Sequence, residues 1–161
     1  MARTTKGVKV NAAGSRNGVS LEMKGVTRNT LDLKVSPEDT GGELAIFEQT
    51  GHTPHGGPPL HIHPFQDEIF YVLQGEYLFQ VGDEQYELKT GDTIFLPRQV
   101  PHAFIQLSDE GKVLVIYQPA GKMEAFFRKT AAWTSPPSAE EIARTFAEND
   151  MHVVGPPLRL N

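Results

Sequence analysis

The chain has 161 residues, 15 of them Lys or Arg and 20 Asp or Glu, for a formal charge of −5. That length predicts one domain, the acidic balance argues against a nucleic-acid partner, and 39% hydrophobic with 22% charged residues is a globular rather than a disordered mix. No cysteine is present, which excludes a disulfide scaffold, a thiolate metal site and a cysteine nucleophile together. The 15 glycines and 12 prolines suit many short strands and turns. The basic start is followed by no apolar stretch, and no window approaches the ~18 apolar residues of a membrane span. The expectation is a cytoplasmic protein with no membrane partner.

In chain order, residues 19–24 and 30–35 read as two strands. In the second, Leu31, Leu33 and Val35 alternate with Asp32 and Lys34, the period of a half-buried strand. Residues 43–49 form a third candidate, and the Gly/Pro-rich stretch 51–59 is predicted as loop. From Leu60 to Pro119 strands follow one another with short turns: 68–73, 77–81, 85–88, 93–96, 102–107 and 112–117. Turns every 8–12 residues indicate an antiparallel sandwich or barrel. After Pro119 the period changes. Residues 122–132 carry Met123, Phe126 and Phe127 at helical spacing. Ser138 with Glu141 forms a capping box before a second apolar helical face of Ala139, Ile142, Ala143 and Phe146. The organisation expected is one domain over 1–161, with N-terminal strands (1–35), a barrel core (36–119) and a helical tail (120–161).

Six histidines stand at 52, 55, 61, 63, 102 and 152. On a strand, His61 and His63 point to one face. Glu68 opens the next strand after a short turn, and His102 on a later strand can close the set. Three imidazoles and a carboxylate suit one divalent first-row metal: Fe, Mn, Ni, Co, Cu or Zn. A set that leaves coordination positions open serves catalysis or ligand binding rather than structure alone. His52 and His55 read as exposed loop residues, and His152 as surface.

The spacing of these residues resembles the two motifs of the cupin superfamily. His61, one residue, His63, four residues, Glu68, six residues and Gly75 match the first, with Gly56 or Gly57 near its leading glycine. Gly91, five residues, Pro97 and His102 five further on match the second. Gln99 stands where that motif has glycine, and Gln106 where it ends in asparagine. The run from Gly56 to His63, Pro119-Ala120-Gly121 and the helical tail are similar to single-domain bacterial quercetin dioxygenases. The resemblance implies an all-β, cupin-type antiparallel jelly-roll barrel with a short α-helical C-terminal extension, and a homodimer. It also implies His61, His63, Glu68 and His102 as metal ligands, with Glu68 the catalytic base.

Strand parity places Phe70 and Val72 on the face of Glu68, and Phe104 and Gln106 on the face of His102. These four are the expected substrate pocket. Tyr77, Phe79 and Val81 share a further face, on which Phe79 and Val81 read as core. An apolar, aromatic wall suits a flat aromatic small molecule better than a sugar. The activity implied by the resemblance is dioxygenation of a flavonol-like aromatic enol by O2. Two alternatives are a non-catalytic metal-containing cupin that binds a small molecule, and a cupin isomerase. The isomerase would call for inward-facing cations, for which Arg98 is the nearest candidate.

Overall fold

The structure, a computed structural model, describes residues 2–161. Eleven strands and three helices follow in the order β1 (Leu21–Met23), β2 (Asn29–Val35), α1 (Pro37–Thr40), β3 (Ala45–Gly51), β4 (Pro59–Ile62), β5 (Asp67–Gln74), β6 (Glu76–Val81), β7 (Glu84–Lys89), β8 (Thr93–Leu96), β9 (His102–Gln106), β10 (Gly111–Gln118), α2 (Met123–Ala131), α3 (Ala139–Glu148) and β11 (His152–Pro157). They build two antiparallel sheets, ordered β1-β2-β3-β10-β5-β8 and β11-β4-β9-β6-β7. This is a jelly-roll arrangement of the cupin type. No helix among the described residues is long and apolar enough to cross a membrane.

The core lies between the sheets. Leu31 and Leu33 of β2, Phe47 of β3, Phe70 and Val72 of β5, Phe79 of β6 and Val113 and Val115 of β10 are buried there, and their outward neighbours, apart from the buried Leu78 of β6, are polar, half-buried or exposed. That alternation is what the strand period requires. The turns carry the residues their geometry needs. Gly75 adopts φ 90° between β5 and β6, a conformation open to glycine and costly to most other residues.

Two elements differ from the sequence reading. A single helical turn, α1, forms where Ser36 caps the Glu38 amide and Asp39 reaches back to the Ser36 N–H. It is too short to show a helical period. The tail, expected to be helical over 120–161, is not helical throughout: residues 152–157 form β11, antiparallel to β4, with Val153 opposite His61. Its two prolines are tolerated because β11 is a sheet edge, where one face of backbone donors is not needed.

Candidate metal centre

The four expected ligands arrive from both sheets. His61 on β4 lies directly opposite His102 on β9 in the five-stranded sheet. His63 follows two residues after His61, just past the end of β4. Glu68 reaches across from β5 of the six-stranded sheet. All four are buried, and their ligand atoms lie within 4.8 Å of one another. Glu68 Oε2 is 3.0 Å from His102 Nε2 and 3.4 Å from His63 Nε2.

The outer nitrogens settle the tautomers. His61 Nδ1 is 2.7 Å from the Pro59 carbonyl and His102 Nδ1 is 3.4 Å from the Val100 carbonyl. A carbonyl only accepts, so each Nδ1 donates and each Nε2 presents a lone pair inward. His63 Nδ1 is 3.3 Å from Gln66 Oε1. Gln66 is oriented by its own Nε2, which donates to the carbonyls of Pro119 and Ala120. Burial keeps the imidazoles neutral: it holds His102 down to about 4, His63 below its usual value and His61 well below it. With its Nδ1–H turned to the Val100 carbonyl and no second proton near neutral pH, His102 offers Glu68 no donor.

Glu68 Oε2 and His102 Nε2 are thus two buried lone-pair atoms facing each other with no donor for either. Each such atom costs about 1–3 kcal/mol if nothing satisfies it. A divalent cation between them removes the cost, and three neutral imidazoles with one carboxylate are a donor set that first-row metals accept. Their fixed outer hydrogen bonds are the support metal-bound histidines normally have. The residues present fit a metal ion.

The cluster forms the base of a cavity of about 130 Å³. By the same measure one water takes roughly 10–15 Å³, so the space is on the order of ten waters. Phe70, Phe104 and Gln106 lie on its wall. The Phe70 and Phe104 rings are 5.1 Å apart. Gln106 donates through Nε2 to the carbonyls of Ser108 and Asp109 and so braces the turn before β10. Val72 is fully buried in the core and is not among the wall residues. Parity gave its side of the sheet correctly, but it lies farther along β5 than the cavity reaches. Of the further face, Tyr77 reaches the wall, whereas Phe79 is core and Val81 packs against it. His52, His55 and His152 are exposed and stand apart from the cluster.

Two motif positions have local reasons. At Gly57 a Cβ would fall 1.8 Å from the Phe104 carbonyl, so the chain passes too close to β9 for any side chain. Gln99, where the motif has glycine, adopts the left-handed φ of 69°. Its N–H donates to the His63 carbonyl at 2.9 Å.

Several wall residues have no motif to reveal them. Tyr117 on β10 lies opposite Glu68 in the strand register, with its ring 5.8 Å from that of His63. Burial, reinforced by the Glu68 carboxylate, pushes its hydroxyl well above its ordinary value. Phe146 of α3 stands edge-on to His61 at 5.1 Å. Trp133 and the β1–β2 turn meet at the rim, where a Cβ on Gly25 would lie 2.8 Å from the indole. Arg98 is not a pocket cation; it pairs with Asp67 at 2.9 Å. The arginine on the cavity wall is Arg28.

Comparison with known proteins places this architecture. Residues 52–117 match the sequence model of the cupin domain family. An uncharacterized protein of Methanocaldococcus jannaschii is 44% identical over 43 residues, 27% of this chain and 34% of that protein. The quercetin 2,3-dioxygenase of Bacillus subtilis is 26% identical over 97 residues, 60% of this chain and 28% of that enzyme. The chain thus spans only 34% and 28% of the lengths of these two relatives. Among solved structures, an RmlC-like cupin from Shewanella frigidimarina is similar with a TM-score of 0.56 at 19% identity, over 66% of this chain and 87% of that one. Motif spacing, two-sheet topology and the match of residues 52–117 to the cupin domain model converge on a cupin-type fold.

Proposed function

We propose that this protein is a metal-dependent dioxygenase that opens a ring of a small aromatic enol, flavonol-like in shape, using O2. The observation that carries the reading is a buried three-histidine, one-glutamate cluster, with unpartnered Glu68 Oε2 and His102 Nε2, at the base of an aromatic cavity. The similarity to a quercetin 2,3-dioxygenase supports it.

In this reading His61, His63, His102 and Glu68 hold one divalent ion of the Mn, Fe, Co, Ni, Cu and Zn series. When bound, the ion supplies Lewis-acid stabilisation of an oxyanion. The rest falls to the chain's own groups. Phe70 and Phe104 orient a flat ring above the cluster and exclude water from it. Glu68 accepts the enol hydroxyl proton on a carboxylate oxygen, which leaves the substrate electron-rich at carbon, where O2 adds. The Tyr117 hydroxyl stays protonated beside Glu68.

The test is anaerobic mixing of the metal-loaded protein with a flavonol, followed by air. Bleaching of the long-wavelength flavonol band with matching O2 uptake is expected. In Glu68→Gln, loaded to the same metal content, turnover is expected to fall roughly 10²–10⁴-fold. Flavonol binding without O2 uptake across the Mn, Fe, Co and Ni forms would overturn the reading and leave a binding protein.

A further inference from the structure

The cavity has one charged residue type at each end. Glu68 lies at the base with the histidines, and Arg28 lies at the exposed rim; no other Asp, Glu, Lys or Arg lines it. Arg28 also lacks what most arginines in this chain have. Arg3, Arg16, Arg98 and Arg128 each pair with a carboxylate at 2.8–3.0 Å. Arg28 makes no ion pair among the described residues. Of the acids near it in sequence, Asp32 is buried and accepts from Ser20 Oγ, and Glu22, which shares an adjoining depression with Arg28, accepts from Thr30 Oγ1 at 3.0 Å.

The Arg28 backbone is nevertheless held in place. Its carbonyl accepts from the His52 N–H at 3.0 Å, and the next residue, Asn29, is buried at the start of β2 opposite Gly51. Between rim and base the wall is aromatic, with Tyr77, Phe104 and Phe127. A guanidinium offers a planar fork that matches an oxyanion in two hydrogen bonds. In a protein of net charge −5, such a group facing an otherwise neutral wall makes a local minimum for a negative charge.

We propose that Arg28 is a specificity residue, and that the preferred ligand is an aromatic bearing an anionic oxygen group, such as a carboxylate, at the end remote from the His/Glu cluster. This rests on the aromatic-substrate reading above and narrows it: the enol end meets Glu68, the ring system lies among the aromatic side chains, and the acid meets Arg28.

The experiment is calorimetric titration of the purified full chain with two ligand pairs. The first is 3-hydroxyflavone and its 4′-carboxylate; the second is 2-naphthol and 6-hydroxy-2-naphthoate. In each pair the acid is expected to bind roughly tenfold tighter than its parent. Arg28→Ala should erase that difference while leaving the neutral parents unchanged, Arg28→Glu should invert it, and Arg28→Lys should keep part of it. Salt should weaken the acids alone, because the Debye length falls from about 10 Å at 0.1 M to about 3 Å at 1 M. Equal affinities within each pair, or an acid preference that survives Arg28→Ala, would overturn the proposal. If the flavone pair fails to bind while the naphthyl pair shows the Arg28-dependent preference, the flavonol reading fails and the role of Arg28 stands. If neither pair binds, both are overturned.

Discussion

The base and the mouth of the cavity are built by different rules. At the base, His61 and His102 are a directly opposed strand pair and Glu68 faces them from the other sheet. Spacing along strands of period two is enough to aim them inward. At the mouth, the β1–β2 turn with Arg28 and the indole of Trp133 come from the two ends of the chain. No local period links them. The base therefore follows from strand period and register, and the mouth from the folding together of distant segments. Function in a common fold resides in such grafted features.

Removing one ligand tests the base most directly. Apparent metal-binding free energies of about 10–16 kcal/mol spread over four ligands put His102→Ala near 3–4 kcal/mol, several hundredfold in affinity. Metal content after dialysis should fall to background while the far-UV spectrum stays β-rich. Retention of stoichiometric metal by His102→Ala would show that the cluster does not bind it as a unit.

The helical tail's contribution to the base is tested by Phe146→Ala. Phe146 is buried, 4.9 Å from Phe126 and edge-on to His61. Its truncation should lower stability by about 3 kcal/mol in denaturant titration and also weaken metal binding, because the ring that backs His61 is lost. A stability loss with unchanged metal affinity would separate the helical tail from the cluster energetically.

The same contrast governs what was legible in the sequence. The antiparallel barrel or sandwich and the four-residue cluster could be read because turn spacing and strand parity are local signals, whereas the jelly roll came with the resemblance to the two cupin motifs. Val72 shows the limit of parity: it gives the side of a sheet, not how far along the strand a cavity extends. Strand β11 was illegible because its two prolines mark a loop unless the strand is known to lie at an edge. Arg28 was missed because its importance comes from the turn folding over the rim, and Gln66 because its role is to orient His63 through a side-chain contact.

Acidification tests the base without mutation. The folded state holds His102 at about 4 against 6.5 in the open chain, and His61 and His63 are shifted the same way. Between those values the unfolded chain binds more protons, so stability rises with pH through the window and is lost as pH falls from 6.5 toward 4. For the metal-stripped protein, moving from pH 7.5 to pH 5 should cost on the order of 2 kcal/mol from His102 alone. Denaturant midpoints at the two pH values measure it, and a flat profile would contradict the neutral buried cluster. An alanine at His102 should flatten the profile in proportion.

The smallest effect concerns the one motif position where the chain departs from the pattern and the backbone does not. Gln99 holds φ 69°, a region that costs a residue with a Cβ roughly 1–2 kcal/mol. Glycine there removes that cost but loses about 0.5–1 kcal/mol to the greater freedom of the unfolded chain. Gln99→Gly should therefore stabilise the protein by about 0.5 kcal/mol, whereas Gln99→Ala, which keeps the Cβ, should not. Metal affinity should stay unchanged in both, because the Gln99 N–H that meets the His63 carbonyl is backbone and survives either substitution. A stability loss in Gln99→Gly would mean that the glutamine side chain contributes contacts worth more than the strain it carries. The departure from the motif would then be an adaptation of this chain rather than a tolerated cost.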